Sequence, residues 1–263
     1  MTATTTMEQE TQEETRERTF DRSEIISHID RYNLNGEIEP VTWEASENEL
    51  SIGFVSQDNT IIGNLSVDEF ELGEDVELGV MQTSNLKKLI KILNDRFDIS
   101  LRRAGEQARV MVMEDDQKTV EFRLADLSVI PDTPSPKRIP DFQVAIDITE
   151  GFADDFRSAE SALESDEFAV RTTPGGVEVV VGYTADSRRE HNNKVTLPVD
   201  AGEFEQFENN NITFKADTFA EILKANSDSE EATWEVSDEG LSRIEFDGEG
   251  WSTIYYFVSQ QEV

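Results

Sequence analysis

The sequence predicts an α+β protein of two similar domains, each assembled from two helix-plus-strand units. Three observations predict it. A short amphipathic helix with about three strands recurs four times along the 263 residues. A Pro-rich stretch divides the chain almost in half. One apolar helix spacing, Leu86, Leu89, Ile90 and Leu93, returns 133 residues later as Phe219, Ile222, Leu223 and Asn226. Repetition at this scale is an organisational signal in its own right.

Residues 1–19 (MTATTTMEQETQEETRERT) lack apolar periodicity and read as a flexible acidic tail. The first helix is DRSEIISHIDRYN, capped by Asp21 or Ser23, with an apolar stripe of Ile25, Ile26, Ile29 and Tyr32. Alternating residues predict strands near 37–43, 49–55 and 60–67. The second unit opens with a strand near 76–81. Its helix is SNLKKLIKILND, and its strands lie near 97–101, 109–113 and 118–124. SVIPDTPSPKRIP holds four of the seven prolines, which remove donors and disfavour helix, so it reads as an extended connector. The third unit has a strand at 142–148, a helix at 151–163 and strands near 168–172, 177–181 and 194–199. The fourth has a strand near 211–215, a helix at 217–226 and strands near 233–236, 241–246 and 252–258. The domain expectation is therefore 20–126, a connector at 127–140, and 141–263.

Composition excludes much chemistry. With 57 acidic and 23 basic side chains the formal charge is −34. There is no cysteine, so disulfides, thiolate metal sites and a Cys nucleophile are absent. Two histidines cannot supply a three-His site. No apolar run is long enough to span a membrane, and no apolar stretch of a secretory signal is visible. Walker loops, GxGxxG, GxSxG and calcium loops are all missing. Adjacent carboxylates at Asp115/Asp116, Asp154/Asp155 and Glu230/Glu231 read as solvation. Nothing assembles a nucleophile, base and orienter, so no enzyme, metal or cofactor is expected. Apolar residues at 37% in alternating blocks argue against disorder. Carboxylates dispersed over both halves, few lysines and no cysteine point instead to a salt-rich cytoplasm, where a Debye length of about 3 Å strips net charge of its reach.

One cationic face stands out. In the second helix Lys87, Lys88 and Lys91, three of the eight lysines, project opposite the Leu86–Leu93 stripe, and Arg96, Arg102, Arg103 and Arg109 follow. Such a face suits phosphates, although a solvated helix surface explains it equally well. A second cluster, Arg188, Arg189, His191 and Lys194, reads as a hairpin tip.

The order and spacing of these units resemble the DNA sliding clamps, most closely the archaeal and eukaryotic proliferating-cell-nuclear-antigen type and more loosely the clamps of tailed phages. Four stretches carry the resemblance: Glu49 to Asn59 (ELSIGFVSQDN), Leu78-Gly79-Val80 followed by Ser84 to Leu89, Ile139-Pro140-Asp141-Phe142, and Tyr255-Tyr256-Phe257-Val258. It covers about residues 20–263. The resemblance implies a DNA-clamp fold whose copies close, as a homotrimer, into a ring with inner helices and an outer β-sheet. It implies a non-enzymatic processivity factor around double-stranded DNA. Its partners would be a DNA polymerase, other replication proteins bearing a short hydrophobic motif, and a clamp-loader ATPase. Its place would be the nucleoid of a salt-rich cytoplasm. Lys87, Lys88, Lys91, Arg96, Arg157 and Lys224 would face the DNA. Leu127, Val129, Ile130 and Pro131 with Tyr256, Phe257 and Val258 would form the partner pocket. Lys118, Val120 and Phe122 of one subunit would pair with Val177, Val179 and Val181 of the next. The competing reading is a β-rich scaffold protein of a halophilic virus that encircles nothing. A hydrolase with an unrecognised carboxylate site ranks last.

Overall fold

The computed structural model describes residues 19–105, 107–183, 193–202, 204–208 and 211–260. Residues 1–18 of the tail expected at 1–19, and Arg188, Arg189 and His191 of the second basic cluster, lie outside them; Thr19 instead opens a strand. The first half runs β1 (Thr19–Asp21), α1 (Arg22–Asn33), β2 (Val41–Ala45), β3 (Glu49–Val55), β4 (Ile61–Asp68), β5 (Val76–Val80), α2 (Thr83–Ile90), β6 (Arg96–Ala104), β7 (Gln107–Glu114) and β8 (Thr119–Arg123). After the connector come β9 (Val144–Asp147), α3 (Glu150–Leu163), β10 (Glu167–Thr173), β11 (Gly176–Val181), β12 (Val195–Val199), β13 (Ile212–Lys215), α4 (Ala216–Ala225), β14 (Glu231–Val236), β15 (Leu241–Gly248) and β16 (Trp251–Val258).

Two four-stranded sheets, β1-β6-β7-β8 and β12-β11-β10-β13, flank one eight-stranded sheet ordered β5-β2-β3-β4-β16-β15-β14-β9. The long sheet crosses from one half to the other where β4 pairs antiparallel with β16, Asn64 opposite Ile254. The helices form a second layer. α1 packs on α2, α3 on α4, and α1 on α4 across the halves. The order in the layer is thus α2, α1, α4, α3.

Local chemistry fixes the helix ends. The Asp21 carboxylate accepts from the Ser23 and Glu24 amides and caps α1, and Thr149 caps α3 through the Phe152 amide. α1 ends in a left-handed Leu34 and Asn35 inside a short 3₁₀ turn, which delays β2 to Val41 instead of residue 37. α2 is shorter than the stripe predicts and stops at Ile90. The Asn94 amide donates to Asp115 at 2.7 Å and Arg22 donates to the Leu93 carbonyl at 2.6 Å, which draws the chain out of the helix. Leu93 still reaches the core, buried from a turn.

The core lies between the layers. Its second-half centre is aromatic: Phe219 meets Phe156, Phe168 and Trp234 with ring centroids 4.8, 4.9 and 4.6 Å away. Arg31 is a buried charge, 1% exposed on α1. Its guanidinium donates to Asp228 at 2.6 Å and lies 3.6 Å over the Trp251 ring, both in the second half. Its carbonyl accepts from the Tyr255 hydroxyl, which Asn226 also contacts at 2.8 Å. These bonds fasten α1 to the other half of the chain.

His28 sits one turn away, buried beside Arg31. Burial, and then the Arg31 charge, push the imidazole down to about 4, with Asp228 pulling weakly the other way. The unfolded imidazole ionises near 6.5, so its contribution is complete above that pH and is lost as pH falls towards about 4. The shift bounds the loss at roughly 3 kcal/mol. Chemical denaturation at pH 7 and 4.5 should therefore show His28→Gln losing less stability on acidification than the parent. An equal loss in both proteins would remove His28 as the cause.

Candidate functional site

Three surfaces collect the residues singled out by sequence. The first is the helix layer. Lys88 and Lys91 are exposed at the end of α2 and make no ion pair among the described residues; Arg96 is exposed at the start of β6. Lys87 is half-buried and paired with Asp30 of α1. Arg157 pairs with Asp154 and Lys224 with Glu221, each one turn back on its own helix. The second half's helix surface is in fact acidic. Glu160, Asp217 and Glu221 gather beside Glu37, around a depression of about 290 Å³. Burial, and then Asp217 and Glu221, raise the Glu160 carboxyl. Burial likewise raises Glu37. Among the described residues, unpaired cationic charge on this layer is thus concentrated at Lys88 and Lys91, while Arg96, on the adjoining strand, stands opposite Asp21 and acts on its carboxylate.

The second surface is a groove of about 550 Å³ between the connector and the outer face of the eight-stranded sheet. Leu127, Ile130, Pro131 and Tyr256 line it, as the resemblance implies for a partner pocket. Alternation along β16 separates the other expected members. Phe257 points to the opposite face and packs on Phe214 at 5.1 Å, so it is core. Val258 and Val129 are exposed but do not line the groove. The sheet supplies small and polar walls that sequence reasoning did not single out: Thr42, Ser51, Gly53 and Asn64. Gly53 has a steric reason. A Cβ there would come within 2.7 Å of Thr133 Oγ1, so only glycine lets the connector lie this close.

Asp126 starts the connector as the cap of a 3₁₀ turn, Leu127–Val129. Hydrogen bonds from Ser128, and then Arg109 at 3.2 Å, hold its carboxyl below the usual range. At the far end Arg138 reaches Glu239 at 2.8 Å. The turn at Ser56–Asn59 does not hang free. Asp58 accepts from Lys215 of the second half at 3.1 Å. Burial pushes the Asp58 carboxyl up, but hydrogen bonds from Thr60, Ser56 and Lys215 outweigh it and leave it strongly lowered.

The third surface is a pair of strand edges. Six strands border the three sheets. Ala125 bridges to β5 at Gly79, and Gln260 bonds β13 at Thr213. β1 and β9 are three and four residues long. β8 and β12 each offer five residues with no further pairing partner among the described residues. β8 carries the expected Val120 and Phe122, with Lys118 just before it. The expected partner run does not lie at an edge. Val177, Val179 and Val181 belong to β11, which is hydrogen-bonded on both sides, to β10 and β12. All three are buried at 2% exposure or less. β11 has no free backbone groups to offer, and the edge belongs to β12. The two open edges lie at opposite ends of the body, since α2 packs on β8 and α3 on β12.

Among the described residues, no helix is long and apolar enough to cross a membrane. No family model and no curated protein matches the sequence. Solved structures do. The proliferating cellular nuclear antigen of Entamoeba histolytica matches with a TM-score of 0.69 at 14% identity, over 92% of this chain and 98% of that one. A. fulgidus PCNA, solved with the C-terminal region of FEN-1 bound to it, matches with a TM-score of 0.68 at 15% identity, over 93% and 98%. At these identities the likeness is one of architecture, and this chain has the α+β fold of the PCNA sliding clamps.

Proposed function

We propose that the chain is a sliding clamp, a non-enzymatic processivity factor whose copies close head to tail into a ring around duplex DNA. The observation that carries this reading is the pair of open edges, β8 and β12, at opposite ends of a two-layer body whose helices all lie in one layer. Strands with unpaired N–H and C=O groups seek a partner, and a heterologous contact that closes on itself leaves no edge exposed. Three copies make the expected ring. Residues 20–126 and 141–263 act as its two domains per subunit, with 127–140 joining them.

The ring holds DNA by enclosure, so binding strength is not what keeps it there. That removes the difficulty of a −34 charge, the more so in a salt-rich cytoplasm, where screening is strong. Lys88, Lys91 and Arg96 make sequence-blind phosphate contacts. Lys87, Arg157 and Lys224 contribute less, because neighbouring carboxylates already hold them. The connector groove takes a short hydrophobic motif from a polymerase or another replication protein and so raises the polymerase's effective concentration at the primer end. The capture of a FEN-1 C-terminal region by A. fulgidus PCNA supports that role. A clamp-loader ATPase opens the ring.

Light scattering in molar KCl should give a small multiple of the 29.7 kDa chain. With cognate polymerase and loader, products on singly primed circular DNA should lengthen. A monomer, or products of unchanged length, would favour a scaffold protein. Charge reversal at Lys88 and Lys91 should leave the assembled mass unchanged. It should lower the slope of log DNA retention against log salt by about one for each phosphate that the variant no longer neutralises. An unchanged slope would remove these lysines from the DNA-facing surface.

A further inference from the structure

We infer that neighbouring copies join in one defined register, an antiparallel ladder with Thr196 of β12 opposite Thr119 of β8 and Lys194 opposite Glu121. The inference rests on the ring reading and specifies its joint.

The chain contains its own template. β2 to β5 recur in the second half as β10 to β13, and β6 to β8 recur as β14 to β16, with matching sheet orders. The hydrogen bond from the Ala125 amide to the Gly79 carbonyl recurs as Gln260 to Thr213. In this correspondence β12 is the counterpart of β4, and β8 the counterpart of β16. β4 and β16 already pair within the chain. Their counterparts are the two open edges. The seam made once inside each chain is available a second time between chains.

The ladders fix the register. Gly79 stands opposite Thr42, Thr42 opposite Gly53, and Gly53 opposite Asn64. The same walk from Thr213 passes through Ala169 and Val180 to Thr196. Thr196 is therefore the counterpart of Asn64. On the other arm, Ile254 precedes Gln260 by the interval at which Thr119 precedes Ala125. Since Asn64 faces Ile254, Thr196 faces Thr119.

Three independent features agree. The Leu124 amide bonds Arg109 and the Lys118 carbonyl accepts from Asp115, so Thr119 and Glu121 turn their amides away from β7 to the open side. Pro198, with no N–H, marks the open side of β12 as the one that Thr196 shares. The side chains also match. Val195 meets Val120 towards the core, while exposed Lys194 and Glu121 meet on the outside with opposite charge. A slip of one residue puts apolar side chains outside. A slip of two puts Lys194 opposite Arg123 or Thr119. In the joint, Glu121 bridges Lys194 of the neighbour and Arg102 of its own chain, which it already holds at 2.7 Å.

The cysteine-free chain makes the test direct. Opposed Cα atoms of a hydrogen-bonded pair lie about 5.5 Å apart, within the roughly 4.4–6.8 Å a disulfide spans. Thr196→Cys combined with Thr119→Cys should give covalent oligomers on a non-reducing gel after mild oxidation. Thr196→Cys with Gln117→Cys, or with Glu121→Cys, should leave single chains. Cross-linking by either control pair, or none by the first while scattering still reports an assembly, overturns the register and leaves the ring. A monomer in scattering overturns the ring and the joint together. Glu121→Lys should weaken association by about two- to fivefold per joint, and adding Lys194→Glu should restore it. Failure of the double variant to recover also counts against the register.

Discussion

Glu121→Pro should convert the assembly to a single 29.7 kDa chain that remains folded and no longer lengthens polymerase products. The position is chosen for its geometry. The amides of Val120 and Phe122 face β7, whereas that of Glu121 faces the open side of β8. Proline there removes a donor that the subunit's own sheet does not use, and edge positions of this kind tolerate proline. Its ring also projects into the space a joining strand would occupy. Circular dichroism and the unfolding midpoint should stay close to the parent's. Size and processivity should fall together. An assembly that survives Glu121→Pro would show that copies meet elsewhere, or do not meet through strands at all.

The largest loss of stability is expected from Phe219→Ala. Phe219 is fully buried and is the common neighbour of Phe156, Phe168, Trp234 and Phe257, the last at 6.1 Å. Truncation removes its transfer free energy and leaves a cavity whose rigid aromatic walls close poorly. Such changes cost about 3–5 kcal/mol, against roughly 5–15 kcal/mol for a typical domain. The thermal midpoint should drop on the order of 10 °C. A loss below about 1 kcal/mol in denaturant titration would mean that the helix–sheet packing differs from that described.

The parts of this structure that sequence reasoning recovered are those governed by short periods. Burial alternates strictly along β3 and β4, and α3 and α4 follow their apolar stripes, α3 behind its Thr149 cap. Errors arose where a distant group overrode the local pattern. Leu93 completes the α2 stripe, yet Arg22 and Asp115 end the helix before it. The neutralised cations divide differently. Asp154 and Glu221 stand one turn before Arg157 and Lys224, so spacing alone could have paired them. Arg31 could not be read this way, because its partner Asp228 is 197 residues away. The misplaced edge had a signal in the sequence. Val179, Val180 and Val181 run apolar without a polar break, as in a strand enclosed by neighbours, while Val195 to Val199 alternates and contains a proline, typical of a border. The groove walls were silent because Thr42, Ser51 and Asn64 are ordinary outward residues until the connector covers them.

The correspondence of β4–β16 with β12–β8 bears on how a closed ring would come apart. In the proposed joint both seams share one backbone geometry, so hydrogen bonding would hardly distinguish them. The difference is one of tethering: the inner seam's strands belong to one polymer, and Arg31 and Asp58 brace it with further contacts across the halves. The outer seam re-forms only by collision. Dilution is then the natural variable that parts it, and the break falls between chains while each chain keeps its shape.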